Sequence, residues 1–317
     1  MPKLKVIEPL FENIIKEFIN VVNPLATRIE ALPSIILVFG GKKSVKIDEK
    51  YISCRNVFLD WAFSTNHELS KFLKTPEDYP EWNNFEGYQN LIEFERDAGS
   101  LSSCILLFSE SYGAIAELGA FSMDETLCER LLVVVDKKHH PAISFVSLGP
   151  IKLLQAISED SVFVVESIKD KNSFESELTS LAEALVTKFA SIPKTQTFTS
   201  TRSRDQLLLI ADLVELFGAI TKKELKELIE FMGVAILPTR FNQMLNQLKL
   251  FDLINQQQKG NQIYLVAPTL EKRKNYLNYV AQHGQPNFDR TRTKLKIHSE
   301  LKSDALRFKA YQQANSS

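Results

Sequence analysis

The segment Cys104–Phe121 (CILLFSESYGAIAELGAF) constrains the fold more than any other part of the chain. An apolar run from Cys104 to Phe108 stops at Ser109-Glu110-Ser111-Tyr112-Gly113, and apolar residues then recur at helical spacing from Ala114 to Met123. An apolar run bounded by turn residues reads as a buried strand, and Ala114 to Met123 reads as the helix it feeds. Strand, tight turn and helix start together set backbone N–H groups and a positive dipole end at the carboxyl edge of a sheet. Glu117 falls near the start of that helix, between Gly113 and Gly119, where backbone can approach a ligand closely. The position suits a catalytic carboxylate facing a sugar phosphate.

The flanking sequence repeats the strand–helix alternation. Residues 7–31 carry a helical stripe (Leu10, Ile14, Ile15, Phe18, Ile19, Val22) that Pro24 kinks or ends. Ser34 to Phe39 is the expected first strand, closed by Gly40-Gly41, which permit a tight turn beside a ligand; no GxGxxG fingerprint is present. For Lys42, Lys43 and Lys46 a solvated loop outweighs a phosphate contact. Residues 50–63 predict a helix, His67 to Leu73 a weak strand, and Thr75 to Pro80 a loop with adjacent carboxylates. Glu77 and Asp78 there are either ribose-hydroxyl ligands or ordinary turn formers. Helices are expected at Tyr88–Ala98, Ile151–Ile157 and Phe174–Phe189, and strands at Leu131–Val135 and Val162–Val165. The pattern predicts an α/β fold, a Rossmann-like parallel sheet flanked by helices.

The boundaries follow from composition. Residues 1–192 form the α/β domain with its N-terminal helix, and the Pro/Thr/Ser/Lys stretch at 193–204 is a linker. Residues 205–285 give three helices, the second opened by a Thr221/Glu224 capping box, and then a hairpin around Lys259-Gly260-Asn261, the order of a winged helix. Arg240 and Lys249 flank the helix that would read a nucleic acid or a protein. The tail, 286–317, carries Arg290, Arg292, Lys294 and Lys296 as contacts for a phosphate backbone or acidic partner. A solvated terminal helix is the alternative.

Function classes narrow by exclusion. A net charge of −1 over 317 residues gives no bulk attraction to nucleic acid. Cys54, Cys104 and Cys128 show neither CxxC nor metal spacing, and His139-His140 sit in a polar turn, so metal catalysis has no support. With no signal or spanning run in view, a cytoplasmic protein is expected. No Ser-His-Asp, Cys-His or Walker pattern is present, which leaves carboxylates: Glu95 before the central strand, Glu117 after it and Glu110 in the loop. Carboxylates serve glycosidic cleavage, one attacking or stabilising the anomeric carbon and another positioning water. A glutamate early in a helix is equally favoured by the dipole alone.

The segment Leu106–Ser122 resembles the signature of nucleoside deoxyribosyltransferase-like proteins, in which the glutamate of Glu-Leu-Gly attacks the sugar carbon. That resemblance implies the nucleophile's role for Glu117. More narrowly, the chain resembles bacterial retron effectors, which join an N-glycosidase-like domain to a C-terminal winged helix. Phe39-Gly40-Gly41, Pro76-Glu77-Asp78, Phe94-Glu95-Arg96, Glu117-Leu118-Gly119 and Leu148–Leu154 carry it. Two departures matter. Ser102-Ser103 stand where the transferases have an aspartate, leaving Glu95 or Asp97 as its replacement, and Lys42-Lys43 replace an aromatic hydroxyl. Hydrolysis is therefore expected rather than base exchange.

The resemblance implies an antiphage toxin that cleaves NAD⁺ or a related nucleotide without a cofactor. Ser109, Gly113 and the neighbouring N–H groups would hold phosphate and Glu77 or Asp78 the ribose hydroxyls, with Gly40, Gly41 and Glu110 as further substrate-binding residues. The retron reverse transcriptase and its RNA–DNA product (msDNA) would restrain it, homo-oligomers being a further expectation. The alternative is a nucleotide-sensing, DNA-binding regulator without turnover.

Overall fold

The computed structural model describes residues 10–43, 53–79, 82–140, 143–168, 171–191, 193 and 195–316. Lys46, Tyr51 and Pro80 lie outside them. In chain order the elements are α1 (Leu10–Val21), β1 (Val22–Ile29), β2 (Ile36–Phe39), α2 (Cys54–Ser64), β3 (Leu73–Lys74), α3 (Leu91–Leu101), β4 (Cys104–Phe108), α4 (Tyr112–Ser122), β5 (Leu131–Asp136), α5 (Lys152–Ile157) and β6 (Val162–Val165). After these come α6 (Lys171–Glu175), α7 (Leu178–Ser191), β7 (Gln196–Thr197), α8 (Ser203–Phe217), β8 (Ala219–Ile220), α9 (Lys222–Phe231), α10 (Pro238–Leu250), β9 (Asn255–Lys259), β10 (Gln262–Val266), β11 (Leu277–Ala281), α11 (Arg290–Leu301) and α12 (Ala305–Ser316). Two compact units result: Pro33–Pro193, and the described residues of Met1–Leu32 with Lys194–Ser317.

The first unit is a parallel five-stranded sheet in the order β3-β2-β4-β5-β6. Every residue of β2, β4 and β5 is buried, as strands covered on both faces require. One face of the sheet, including Ile36, Val38, Leu106 and Phe108, packs on Val57 and Phe58 of α2 and on Leu181 and Leu185 of α7. Residues alternate across a strand, so Phe39 turns to the other face, where its ring meets Phe121 of α4 edge-on. Numbered within the sheet the order is 2-1-3-4-5, which reverses direction between β2 and β4. A doubly wound sheet opens its ligand crevice outside the carboxyl ends of the strands at that reversal.

The second unit contains two three-stranded sheets, β11-β1-β7 and β8-β10-β9. The expected helix over 7–31 ends at Val21. From Val22 the chain pairs antiparallel with β11, and Pro24, which has no N–H to donate, sits where the register shifts between Asn23 and Arg28. This segment clusters with residues 194–317 and not with the α/β domain to which 1–192 assigned it. The linker expected at 193–204 contains β7, paired with Arg28 and Ile29, and the first residues of α8. Helices α8, α9 and α10 precede the β9–β10 hairpin as expected, and the Thr221/Glu224 capping box forms. The tail folds into α11 and α12, burying Ile297, Leu301, Ala310 and Ala314.

Three smaller expectations change. His67–Leu73 is a series of turns reaching a strand only at Leu73. The Phe174–Phe189 helix is broken into α6 and α7, and residues 147–151 are a π-helical turn ahead of α5. Among the described residues, no helix is long and apolar enough to cross a membrane.

Candidate active site

Topology brings two glutamates to the crevice. Helix α3 runs back against the strands before β4, so its first turns lie at the carboxyl edge, and α4 leaves the same edge through Ser109-Glu110-Ser111. Ser111 caps α4, accepting the Ala114 N–H at 3.1 Å. Glu95, in the second turn of α3, is buried and accepts the Trp82 indole N–H at 3.1 Å. Burial pushes its pKa up to about 7, against the lowering effect of that hydrogen bond. Glu117 is likewise raised to about 7, by burial first and then by the negative charge of Glu95, with Arg55 opposing and Glu77 adding to the rise. Its Oε2 is buried and accepts no hydrogen bond from the described residues. A buried carboxylate oxygen left without a donor is costly to stability.

Arg55, which the sequence pattern did not single out, is the cation of this cluster. Its guanidinium is 3% exposed and grips Glu77 through two hydrogen bonds, at 2.6 and 3.2 Å. Burial alone would raise the pKa of Glu77, but the bonds and charge of Arg55 outweigh it and hold the carboxyl low. A signal existed: Arg55 shares the helical stripe of Phe58, Leu59 and Ala62, where a charge needs a buried partner. Trp82, also missed, carries no comparable signal, because it opens a short 3-10 helix (Trp82–Gly87) whose sequence shows no apolar periodicity.

The remaining candidates divide. Glu110 is a staple: its carboxylate accepts the N–H groups of Gly41 (2.9 Å), Cys54 (2.7 Å) and Arg55 (3.1 Å). It therefore fills the N-terminus of α2 and welds the β2 loop to that helix. Gly40 and Gly41 make this approach feasible. A Cβ on Gly40, whose φ is +155°, would lie 2.9 Å from the Phe108 Cβ, and one on Gly41 2.8 Å from the Ser53 Cβ. Ser109 donates both its hydroxyl and its amide to the Val134 carbonyl, tying β4 to β5. Asp78 closes a turn by accepting the Thr75 N–H and pairs with Lys43 at 3.0 Å. Gly113 is exposed, with space where a Cβ would stand. Asp97 is buried and takes the Tyr88 hydroxyl, so Glu95, rather than Asp97, is the carboxylate of α3 that interacts with Glu117.

In the second unit the basic residues of the tail are engaged internally. Arg290 pairs with Asp212 at 3.0 Å and Glu215 at 2.7 Å, Lys294 also reaches Glu215, and Lys296 pairs with Glu17. Asp212 is fully buried and also accepts the Tyr276 and Leu277 amides and the Tyr279 hydroxyl, so Arg290 neutralises an interior charge. Arg290 and Lys294, expected as contacts for a nucleic acid or partner, thus both carry internal ion pairs. Arg292 lines a small surface cavity of about 160 Å³ with Ile14, Glu17 and Phe288. Arg240 donates to the Ser203 hydroxyl at 3.1 Å, and Lys249 is half-buried in the last turn of α10.

A family model described as STM3845 retron effector protein matches residues 51–256. The chain is 33% identical over 124 residues to the Retron Ec86 putative ribosyltransferase/DNA-binding protein of Escherichia coli, covering 36% of this chain and 40% of that protein. It is 36% identical over 72 residues to the Retron Ec73 putative ribosyltransferase/DNA-binding protein of the same organism, 23% of each. The aligned segments thus span well under half of these curated relatives. The family match covers the greater part of the chain, including every carboxylate of the crevice. This protein belongs to the STM3845 family of retron effectors.

Proposed function

We propose that the protein is an N-glycosidase that hydrolyses the bond between ribose and base in a nucleotide, with NAD⁺ as the leading substrate. The observation that carries this reading is the orphaned, buried Oε2 of Glu117 beside Glu95. Burial raises both carboxyls to about 7 and the charge of Glu95 adds to the rise of Glu117, so at neutral pH one serves as nucleophile while the other is acid. Glu117 attacks C1′, the C1′–N bond breaks with its electron pair leaving on the base, and a C1′–O bond to Glu117 forms. A base that leaves as an anion takes the proton of Glu95; nicotinamide leaves neutral and that proton goes to solvent. Esterified Glu117 no longer bears charge, so Glu95 ionises readily and takes a proton from the water that displaces the sugar. Arg55 holds Glu77 at the rim of the same cluster, and the exposed Gly113 leaves the start of α4 open to phosphate. The reaction requires no cofactor.

Glycosidase activity on NAD⁺ is toxic, so the effector is held inactive by its retron's reverse transcriptase and msDNA. In this reading α8, α9, α10 and the β9–β10 hairpin form a winged helix whose α10 meets that complex. The names of the relatives, ribosyltransferase and DNA-binding together, support both halves. They favour equally a second reading, a nucleotide-sensing DNA-binding regulator without turnover.

The test is nicotinamide release from NAD⁺ by the purified protein, alone and with its reverse transcriptase–msDNA complex. Release that disappears in Glu117→Gln is expected. If NAD⁺ and a panel of purine nucleotides are all left intact in both states, the regulator reading replaces the enzyme.

A further inference from the structure

Glu95 accepts a hydrogen bond from a group that does not itself titrate. We propose that Trp82 is a positioning residue: its indole N–H holds the carboxylate of Glu95 in place and, through it, governs the step that needs Glu95 as base. The indole nitrogen is a donor only, so its bond always favours the ionised form of Glu95 and opposes the burial that disfavours it. The ring is buried and cannot drift from that role. It stands edge-on to Phe94 at 4.9 Å and 87°, meets Phe39 at 6.3 Å and lies tilted against Tyr79 at 5.8 Å. Phe94 is the residue before Glu95, so the clamp packs on the helix it serves. The charged neighbours of Glu117, which lies on α4, come from three other elements. Glu95 lies on α3, Arg55 on α2, and Glu77 in the turn after β3, while Asp97 on α3 is held by Tyr88.

Removing the donor has a directional consequence. Glu95 keeps its proton to higher pH, and Glu117, facing a neutral neighbour, ionises at lower pH. Glycosyl transfer to Glu117 then survives, whereas the attack of water, which needs Glu95 as base, slows. A residue that merely filled space would shift neither titration in this opposed manner.

The experiment is Trp82→Phe, which keeps an aromatic ring and deletes the N–H. Carboxyl-carbon NMR titration of ¹³C-glutamate-labelled protein should show the Glu95 midpoint raised by about one pH unit and the Glu117 midpoint lowered. Unchanged midpoints in a folded variant overturn the proposal. If Trp82→Phe does not fold, the indole N–H resonance of Trp82 in wild type is followed instead. It should move with the Glu95 midpoint, and an N–H indifferent to pH between 5 and 9 overturns the proposal equally. The kinetic arm rests on the glycosidase reading: Trp82→Phe should retain a stoichiometric burst of base release while steady turnover at pH 7 falls about tenfold. Adding Trp82→Phe to Glu95→Gln should cost nothing further, because a positioning residue acts through its partner. A further loss in the double variant counts against it. Titration shifts without base release from any nucleotide uphold the positioning role and reject the glycosidase.

Discussion

At the residue scale the burial of Glu95 and Glu117 costs stability, and the cost has a sign. A carboxylate raised from an ordinary 4.5 to about 7 on folding binds a proton that the unfolded chain releases between those values. Stability contributed by Glu95 and Glu117 is therefore fully present below about pH 4.5 and lost as pH rises through 7. For Glu95 the loss is on the order of 3 kcal/mol. Glu95→Gln, which keeps an acceptor for Trp82, should consequently be more stable than wild type at pH 8 and gain little at pH 4.5, by denaturant titration at both pH values. Equal changes at the two pH values would mean that Glu95 is ionised throughout. Burial raises the Glu110 carboxyl as well, but the N–H groups of Gly41, Arg55 and Cys54 oppose that rise and give its charge a structural use. Glu110→Ala orphans three N–H groups at once, and unfolding should become easier by about 2–4 kcal/mol. An expressed, equally stable Glu110→Ala protein with a weakened KM would return Glu110 to the substrate.

At the element scale, the strand–turn–helix of Cys104–Phe121 was legible because a continuous apolar run, a capping serine and helical spacing follow one another without ambiguity. The parallel sheet followed from the same β-branched runs. What sequence could not supply was the partner of each charge. Nothing in Arg290-Thr-Arg-Thr-Lys-Leu-Lys distinguishes a basic tail seeking phosphate from a helix whose cations neutralise Asp212 and Glu215 in the chain's own interior. Strand β1 was hidden for a related reason: its pairing with β11 is set by residues far along the chain, and Pro24 suggested only a helix end. Helix α12 shows how firmly the tail is built in. Arg307 pairs with Glu224 at 2.7 Å, donates to the Ala219 carbonyl and stacks over the Phe11 ring. Arg307→Ala leaves Glu224 unpaired in a mostly buried setting and should cost about 3 kcal/mol or more. A thermal melt within one degree of wild type would contradict that packing.

At the scale of the whole molecule, one chain carries the crevice of Glu95 and Glu117 and a second unit for which we propose a macromolecular partner. If that partner is msDNA, the contacts fall on the exposed side of α10 and the hairpin and not on α11. Arg290→Met should then leave the salt dependence of msDNA binding unchanged, whereas a slope reduced by about one would place Arg290 on the phosphate backbone. The central claim is narrower: Glu117 bonds covalently to the sugar. An NAD⁺ analogue bearing fluorine at C2′ destabilises the oxocarbenium-like transition state and slows release of the glycosyl enzyme. Intact-mass and peptide measurements after incubation with that analogue should find one ADP-sugar on the peptide containing Glu117, with one nicotinamide released. Nicotinamide released in many turnovers with no adduct, or an adduct on another carboxylate, would contradict the account.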